Sequence, residues 1–262
     1  MRRALLSTAA TASSLLLATT ASAAPPWVDR HLTLPAGDWA FDFGLGLAHA
    51  PPPVDDTSVG MNAEVAVGLT NRIELGVRTG LRFGDAFERG LHPDEYGRLF
   101  DRQYVDGGND PVANPEVRLR GALVAGPVVD LGLEGRLFVP VEDNRQAAVE
   151  FGLPLAFHLG ESVRLDTGVW VPVLFDYATP FGLIVPFDVW IQVTPRVWLG
   201  PMSGIDIVRV GNQATVTDVS MGFAVGYQVA RFVDLKTMFL FPALNQDSRA
   251  FGLGAGVQIR IE

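Results

Sequence analysis

The sequence has no cysteine, a single lysine and no long apolar run beyond its N-terminal end. Without cysteine, neither a disulfide framework nor a thiolate metal site is available. Without a stretch of about 20 apolar residues, no transmembrane helix is expected. The formal net charge of −9 disfavours nucleic acid and anionic surfaces as partners. The folded chain must therefore be held together by backbone pairing and burial alone.

The first 23 residues have the pattern of a secretory signal peptide. Two arginines follow the initial methionine, an apolar stretch comes next, and Ala21-Ser22-Ala23 fits the small-x-small cleavage rule. We therefore predict that residues 1–23 are removed on export. Residues 24–36 carry prolines and polar side chains, and we predict that they form a short periplasmic lead-in to a folded domain at 37–262.

Alternation of apolar and polar residues dominates the rest of the chain. In the stretch 62–83, Val65, Val67 and Leu69 alternate with Glu64, Ala66 and Gly68, and the pattern resumes after a polar turn at Thr70-Asn71-Arg72. A period of two is typical of a strand with one apolar face, and two such strands joined by a tight turn form a β-hairpin. The same pattern recurs at 37–48, 116–141, 147–175, 181–210, 215–241 and 251–261. It predicts about 12 strands in an all-β chain.

The connections between these strands alternate in length. Tight turns are predicted near residues 126, 160, 194 and 230, whereas the other connections are longer and more polar. The longest, residues 84–114, is predicted to be external and to fold into a pore mouth or lie above it. Short turns at one end, longer loops at the other and an even strand count are typical of outer-membrane barrels. We therefore predict a closed antiparallel up-and-down transmembrane β-barrel of about 12 strands at 37–262.

A soluble β-sandwich would also alternate, so the composition of each face carries the distinction. The polar face is rich in Gly, Ala, Asp, Glu and Arg, and small residues suit side chains that converge inside a narrow barrel. Aromatic residues on the apolar face fall near the strand ends, as in the two girdles of a membrane barrel: Phe83, Phe157, Phe175, Phe181, Tyr227 and Phe241. Five prolines inside predicted strands indicate bulges or a widened ladder: Pro140, Pro154, Pro172, Pro186 and Pro242.

The signal peptide, the twelve alternating segments and the loop asymmetry together resemble bacterial outer-membrane porin-like β-barrels. The resemblance is a pattern across the whole mature chain, and it transfers no specific residues. It implies a location in the outer membrane of a Gram-negative-type bacterium, contact with outer-membrane lipid and with the assembly machinery, and small-molecule or ion solutes. Barrels of this class usually end in an aromatic residue, whereas this chain ends in Ile261-Glu262.

The candidate site is the predicted lumen. Its lining is expected to include Arg78, Arg82, Arg118, Arg120, Arg136, Glu134, Asp188, Asp206, Asp218, Trp170 and Trp190. One interpretation is a basic wall opposite an acidic wall, which would orient dipolar solutes and set ion selectivity. The other is that these charges neutralise one another in a filled lumen. The tryptophans could line a solute path or occupy space. The predicted function is a narrow channel or porin-like transporter, with a structural barrel or a soluble periplasmic β-protein as alternatives.

Catalysis and cofactor binding are not expected. His49, near Thr57 and Ser58 at the external end of the first strand, is the one candidate for a catalytic histidine, and no nucleophile elbow or zinc-protease helix motif occurs. The closely spaced oxygen ligands of residues 106–110 could hold calcium, although turn chemistry alone explains Asp, Gly and Asn there. The sequence therefore predicts a protein that is not an enzyme and holds neither a metal nor a cofactor.

Overall fold

The computed structural model describes residues 25–52, 55–84, 112–140, 147–175, 181–209 and 215–262. The predicted signal peptide and most of the predicted loop 84–114, including the calcium candidate at 106–110, lie outside these ranges. Within them, a short 3-10 turn at Trp27–Asp29 precedes twelve strands: β1 (Trp39–Ala50), β2 (Asp56–Thr70), β3 (Ile73–Phe83), β4 (Glu116–Ala125), β5 (Val129–Phe138), β6 (Ala148–His158), β7 (Val163–Leu174), β8 (Phe181–Thr194), β9 (Val197–Arg209), β10 (Val216–Ala230), β11 (Val233–Phe241) and β12 (Phe251–Ile261).

The strands form one closed antiparallel barrel. Each strand pairs with its neighbours in the sequence, and β1 pairs with β12 from Trp39↔Ile261 to His49↔Phe251. Closure leaves no unpaired strand edge, which is what a sheet in hydrocarbon requires. The prediction of an up-and-down barrel of about 12 strands is confirmed. The two-residue turn between β2 and β3 defines the short-turn end, and the opposite rim is the long-loop end.

Strand β2 begins earlier than the sequence pattern predicts. The predicted pattern begins at residue 62, yet residues 56–61 also pair with β1, as far as Ala50↔Asp56. The alternation continues through them, because Ser58 is buried and Val59 is 52% exposed. Serine and threonine on this stretch obscured the period, since they are typical of loops as well as of strands.

The prolines interrupt pairing without shifting the register. Pro154, Pro172 and Pro186 lie inside β6, β7 and β8, whereas Pro140 and Pro242 follow the ends of their strands. The register shifts lie elsewhere, near the short turns: Gly68/Thr70, Ala122/Val124, Gln192/Thr194 and Gln228/Ala230. Of the two predicted effects of proline, the bulge is not observed, whereas an interrupted ladder is. Pro154, Pro186 and Pro201 of β9 each face a gap in the ladder on one side, and the β7–β8 ladder ends before Pro172, since proline has no amide hydrogen to donate.

The distribution of apolar and charged side chains between the outside and the inside of the barrel is the reverse of that in a soluble protein. Large apolar side chains are exposed on the outside, among them Leu45 at 60%, Phe151 at 60% and Phe175 at 59%. Charged side chains are buried on the inside, with Arg120 and Glu150 at 0% exposure. Among the described residues, no helix has the length and hydropathy needed to cross a bilayer.

Candidate functional site

The interior of β2 to β6 carries alternating acids and bases at directly opposed positions. Arg78 on β3 lies between Glu64 on β2 and Glu116 on β4. Arg120 on β4 lies between Glu74 on β3 and Glu134 on β5. Opposite charges at facing positions stabilise neighbouring strands, and the register of the hairpins sets which charges meet. We call the interior acids and arginines of β2 to β6 the charge ladder: Glu64, Glu74, Arg78, Glu116, Arg118, Arg120, Glu134, Arg136 and Glu150.

Three arginines of the charge ladder are bound by several carboxylates each. Arg118 Nη2 lies 2.9 Å from Glu64 Oε1 and 3.0 Å from Glu74 Oε1. Arg120 Nη2 lies 2.5 Å from Glu134 Oε2, and its Nη1 lies 3.8 Å from Glu74 Oε1. Arg136 Nε lies 2.6 Å from Glu134 Oε1 and 3.5 Å from Glu150 Oε1. The arginines of β3 to β5 therefore lie on one side of the barrel, where neighbouring carboxylates offset their charge.

The predicted acidic residues lie on the opposite side. Asp188, Asp206 and Asp218 belong to β8, β9 and β10, each five strands around the barrel from β3, β4 and β5. Asp188 is directly opposite Asp166 in the β7–β8 ladder, and Asp206 is opposite Asp218 in the β9–β10 ladder. Asp188 and Asp218 are buried, and Asp206 is half-buried. The side chain of Arg82 lies outside the described residues, although its backbone pairs with Gly60.

The two predicted interior tryptophans are fully buried and hydrogen-bonded. Trp170 donates from Nε1 to Glu134 Oε1 at 3.0 Å, and Trp190 donates to Asp166 Oδ2 at 2.9 Å. Buried indole groups usually find such a partner. Both side chains therefore occupy space and brace carboxylates, which agrees with the space-filling interpretation.

The chain ahead of β1, which was predicted to be a periplasmic lead-in, contributes side chains to the interior of the barrel. In the N-terminal segment, residues 25–38, Trp27, Val28, Leu32 and Leu34 are all at most 4% exposed. Trp27 stacks on Trp198 of β9 with ring centroids 4.8 Å apart and an interplanar angle of 4°. A Cβ atom at Gly226 would come within 2.0 Å of the Trp198 ring, so glycine there makes room for this stack.

Arg30 anchors the N-terminal segment by charge. Its Nη1 lies 2.7 Å from Asp234 Oδ2 and donates to Gln258 Oε1 at 3.3 Å. The guanidinium also lies over the Trp27 ring, 5.0 Å from the centroid, which is a cation–π distance. Burial lowers the pKa of Arg30 to about 10, helped by the positive charge of Arg260 and opposed by Asp234. Arg30 therefore keeps its positive charge at neutral pH.

The backbone of the N-terminal segment is bonded to side chains of the barrel interior. The Leu34 amide donates to Glu74 Oε2 at 2.8 Å, and Arg120 Nη1 donates to the Leu32 carbonyl at 3.0 Å. Arg164 of β7 donates to the Arg30 carbonyl. Because a buried backbone group without a partner is costly, these bonds allow an irregular segment to lie inside the barrel.

Two glycines let the chain pass from the interior into β1. Gly37 has a φ of +88°, a conformation that side-chain-bearing residues rarely adopt. A Cβ atom at Gly68 would lie 1.9 Å from the Pro35 carbonyl oxygen. The amide of Gly37 donates to the Gly68 carbonyl at 2.8 Å, which fixes this crossing.

One feature of the sequence indicates that the N-terminal segment lies inside the barrel, although its prolines and polar residues suggest a solvated lead-in. Residues 24–36 include Trp27, Val28, Leu32 and Leu34, and a solvated lead-in has no reason to carry four large apolar side chains. Trp198, which completes the stack, was not among the predicted interior residues. The pattern at 181–210 was interpreted only as a hairpin.

The candidate catalytic residue is placed on the outer face. His49 Nδ1 lies 3.1 Å from Thr57 Oγ1, and its ring packs against Phe251 with centroids 5.3 Å apart. His49 therefore lies at the long-loop rim, on the outer face of the barrel.

Neither a protein-family model nor a curated protein matches the sequence. Solved structures of outer-membrane channels do match the fold. The COG4313 outer membrane channel from Pseudomonas putida F1 superposes with a TM-score of 0.62 at 14% identity, over 87% of this chain and 97% of that one. The KdgM porin in complex with disordered oligogalacturonate gives 0.59 at 8% identity, over 85% and 99%. The NanC porin gives 0.57 at 7% identity, over 83% and 98%. The fold of this chain is that of the outer-membrane porin-like β-barrels.

Proposed function

We propose that the chain is an outer-membrane channel for small solutes or ions, narrowed at its short-turn end by the N-terminal segment. The observation that carries the proposal is the inversion of faces: an apolar outer surface around an interior lined with charge. Lipid favours the apolar outer surface, and water and polar solutes favour the charged interior. The solved channels of the same fold support this function.

The distribution of interior charge supports a preference for cations or for solutes with hydrogen-bond donors. The arginines of the charge ladder are largely offset by carboxylates beside them. By contrast, β8 to β10 contribute Asp188, Asp206 and Asp218, and the only basic residue in the sequence of these strands is Arg209. A ring or wall of carboxylates favours cation passage.

A structural barrel with a filled interior is the second candidate. The N-terminal segment favours it, because Trp27, Arg30 and Leu32 occupy the interior at the short-turn end with at most 2% exposure. Whether the channel conducts with this segment in place distinguishes the two functions.

Two measurements on the full chain test the proposal. Fractionation of producing cells, with migration of heated and unheated protein in a denaturing gel, tests the membrane location. Recovery in the periplasmic fraction would contradict it and favour a soluble β-protein. Purified protein in a planar bilayer tests conduction, and we expect small, discrete current steps. A barrel that inserts and gives no steps would favour the structural role.

A further inference from the structure

Two histidines and an aspartate meet at the short-turn end, apart from the charge ladder. His31 Nδ1 lies 3.0 Å from Asp130 Oδ2, and His158 Nε2 lies 3.3 Å from the same oxygen. The three ligand atoms all lie within 4.8 Å of one another. His31 belongs to the N-terminal segment, whereas Asp130 is the second residue of β5 and His158 is the last residue of β6. These residues therefore come from three separate parts of the chain.

Hydrogen bonds outside the cluster orient its ligand atoms. The Val28 carbonyl lies 2.7 Å from His158 Nδ1 and can only accept, so Nδ1 carries the hydrogen and Nε2 is directed at Asp130. The Gly126 amide donates to Asp130 Oδ1 at 3.0 Å. Histidine ligands of metals are commonly fixed in this way, with the second ring nitrogen donating to a backbone carbonyl.

The spacing fits a tetrahedral ion. Zinc–nitrogen and zinc–oxygen bonds of about 2.0–2.1 Å place neighbouring ligands of a tetrahedron about 3.3 Å apart. The separations of His31 Nδ1 and His158 Nε2 from Asp130 Oδ2, 3.0 and 3.3 Å, are close to this edge length. The His31 side chain is 51% exposed, so it can adjust to close the third edge, and solvent can supply a fourth ligand.

We propose that His31, Asp130 and His158 bind a divalent transition-metal ion of the zinc class. Imidazole nitrogens with one carboxylate are a donor set that suits Zn²⁺, Cu²⁺ and Ni²⁺ rather than Ca²⁺ or Mg²⁺. No sequence motif indicates this site, because Asp130 is 99 residues from His31 and 28 from His158 and only the fold brings them together. The bound ion fastens the N-terminal segment to the ends of β5 and β6, and this role does not depend on solute transport.

Zinc titration of the chelator-treated full chain in detergent tests the site. We expect isothermal titration calorimetry with Zn²⁺ alone to give one ion per chain. His31→Ala and His158→Ala should each weaken binding at least tenfold, and His49→Ala, at the other end of the barrel, should leave it unchanged. His31 is the safer variant for folding because its side chain is half exposed. Wild-type protein that binds no Zn²⁺, or His31→Ala that binds it equally well, would overturn the proposal.

Protection of the N-terminal segment provides a second readout. Trypsin cleaves after arginine, and Arg30 is adjacent to His31 in the sequence. Zn²⁺ should slow cleavage after Arg30 in the wild type and in His49→Ala, but not in His31→Ala. Equal slowing in all three proteins would show that the ion acts on trypsin or elsewhere on the barrel, and would contradict the fastening role.

Discussion

Arg120 is the residue on which the interior contacts converge. It has no exposed surface and is bound by Glu134 of β5. It also donates to the Leu32 carbonyl of the N-terminal segment. One guanidinium thus links the charge ladder to the segment inside the barrel, a role for which arginine's fixed fork of donors is suited.

We expect Arg120→Met to destabilise the barrel by about 3 kcal/mol, the low end for a broken buried ion pair, because Glu134 loses one of its two cations and keeps only Arg136. Unfolding in urea, followed by tryptophan fluorescence in lipid vesicles, measures the change. Arg196→Met is the matched control, since Arg196 lies exposed in the β8–β9 turn.

A second variant separates charge from packing in this prediction. Arg120→Met combined with Glu134→Gln should recover part of the lost stability, because the carboxylate charge of Glu134 that Arg120 balanced is removed as well. A double variant as unstable as the sum of the two single variants would contradict the assignment of the loss to a buried charge.

At the scale of elements, the N-terminal segment differs from the strands in how it is held. Strands are fixed by backbone ladders, whereas this segment relies on side chains: the Trp27–Trp198 stack, the Arg30–Asp234 ion pair and the Arg120 bond. Its stability is therefore separable from that of the barrel, as is common for elements with few backbone bonds of their own.

We expect Trp27→Ala to release the N-terminal segment while the barrel stays folded. The variant loses the stack on Trp198 and the cation–π contact with Arg30. Single-channel conductance should increase as the interior opens, and heat-modifiable migration should persist. Trp39→Ala is the control, since Trp39 is 43% exposed on the outer face. Unchanged conductance in Trp27→Ala would mean that the segment does not narrow the path.

At the scale of the whole molecule, the fold was predictable and the contents of its interior were not. Alternation alone located twelve strands, because every barrel residue must face either outward or inward. Pairing partners such as Arg118 with Glu64 and Glu74 depend on hairpin register, which the sequence pattern defines only near the turns. The N-terminal segment has no period, so nothing local indicates that Trp27 meets a ring on β9.

Ion selectivity is the property that the whole charge distribution determines. Asp218 is 8% exposed, and its Oδ1 makes no hydrogen bond with the described residues. A unit charge acts on an ion about 10 Å away by about 0.4 kcal/mol in water, which is about a twofold effect.

We therefore expect Asp218→Asn to lower the cation-to-anion permeability ratio about twofold. The reversal potential across a salt gradient measures this ratio. Glu161→Gln removes the same charge from the exposed β6–β7 turn and should change it less. An Asp218→Asn channel with wild-type selectivity would contradict the acidic wall.

The contacts of Arg30 also predict an order for the steps of folding. Its partners include Gln258 on the last strand, 228 residues further along the chain. The surface that receives the N-terminal segment is therefore complete only after β12 has joined β1. Contacts this distant form slowly, because the intervening chain must be organised first. We therefore expect the N-terminal segment to be the last part to reach its place, so that its docking would mark the completion of the barrel.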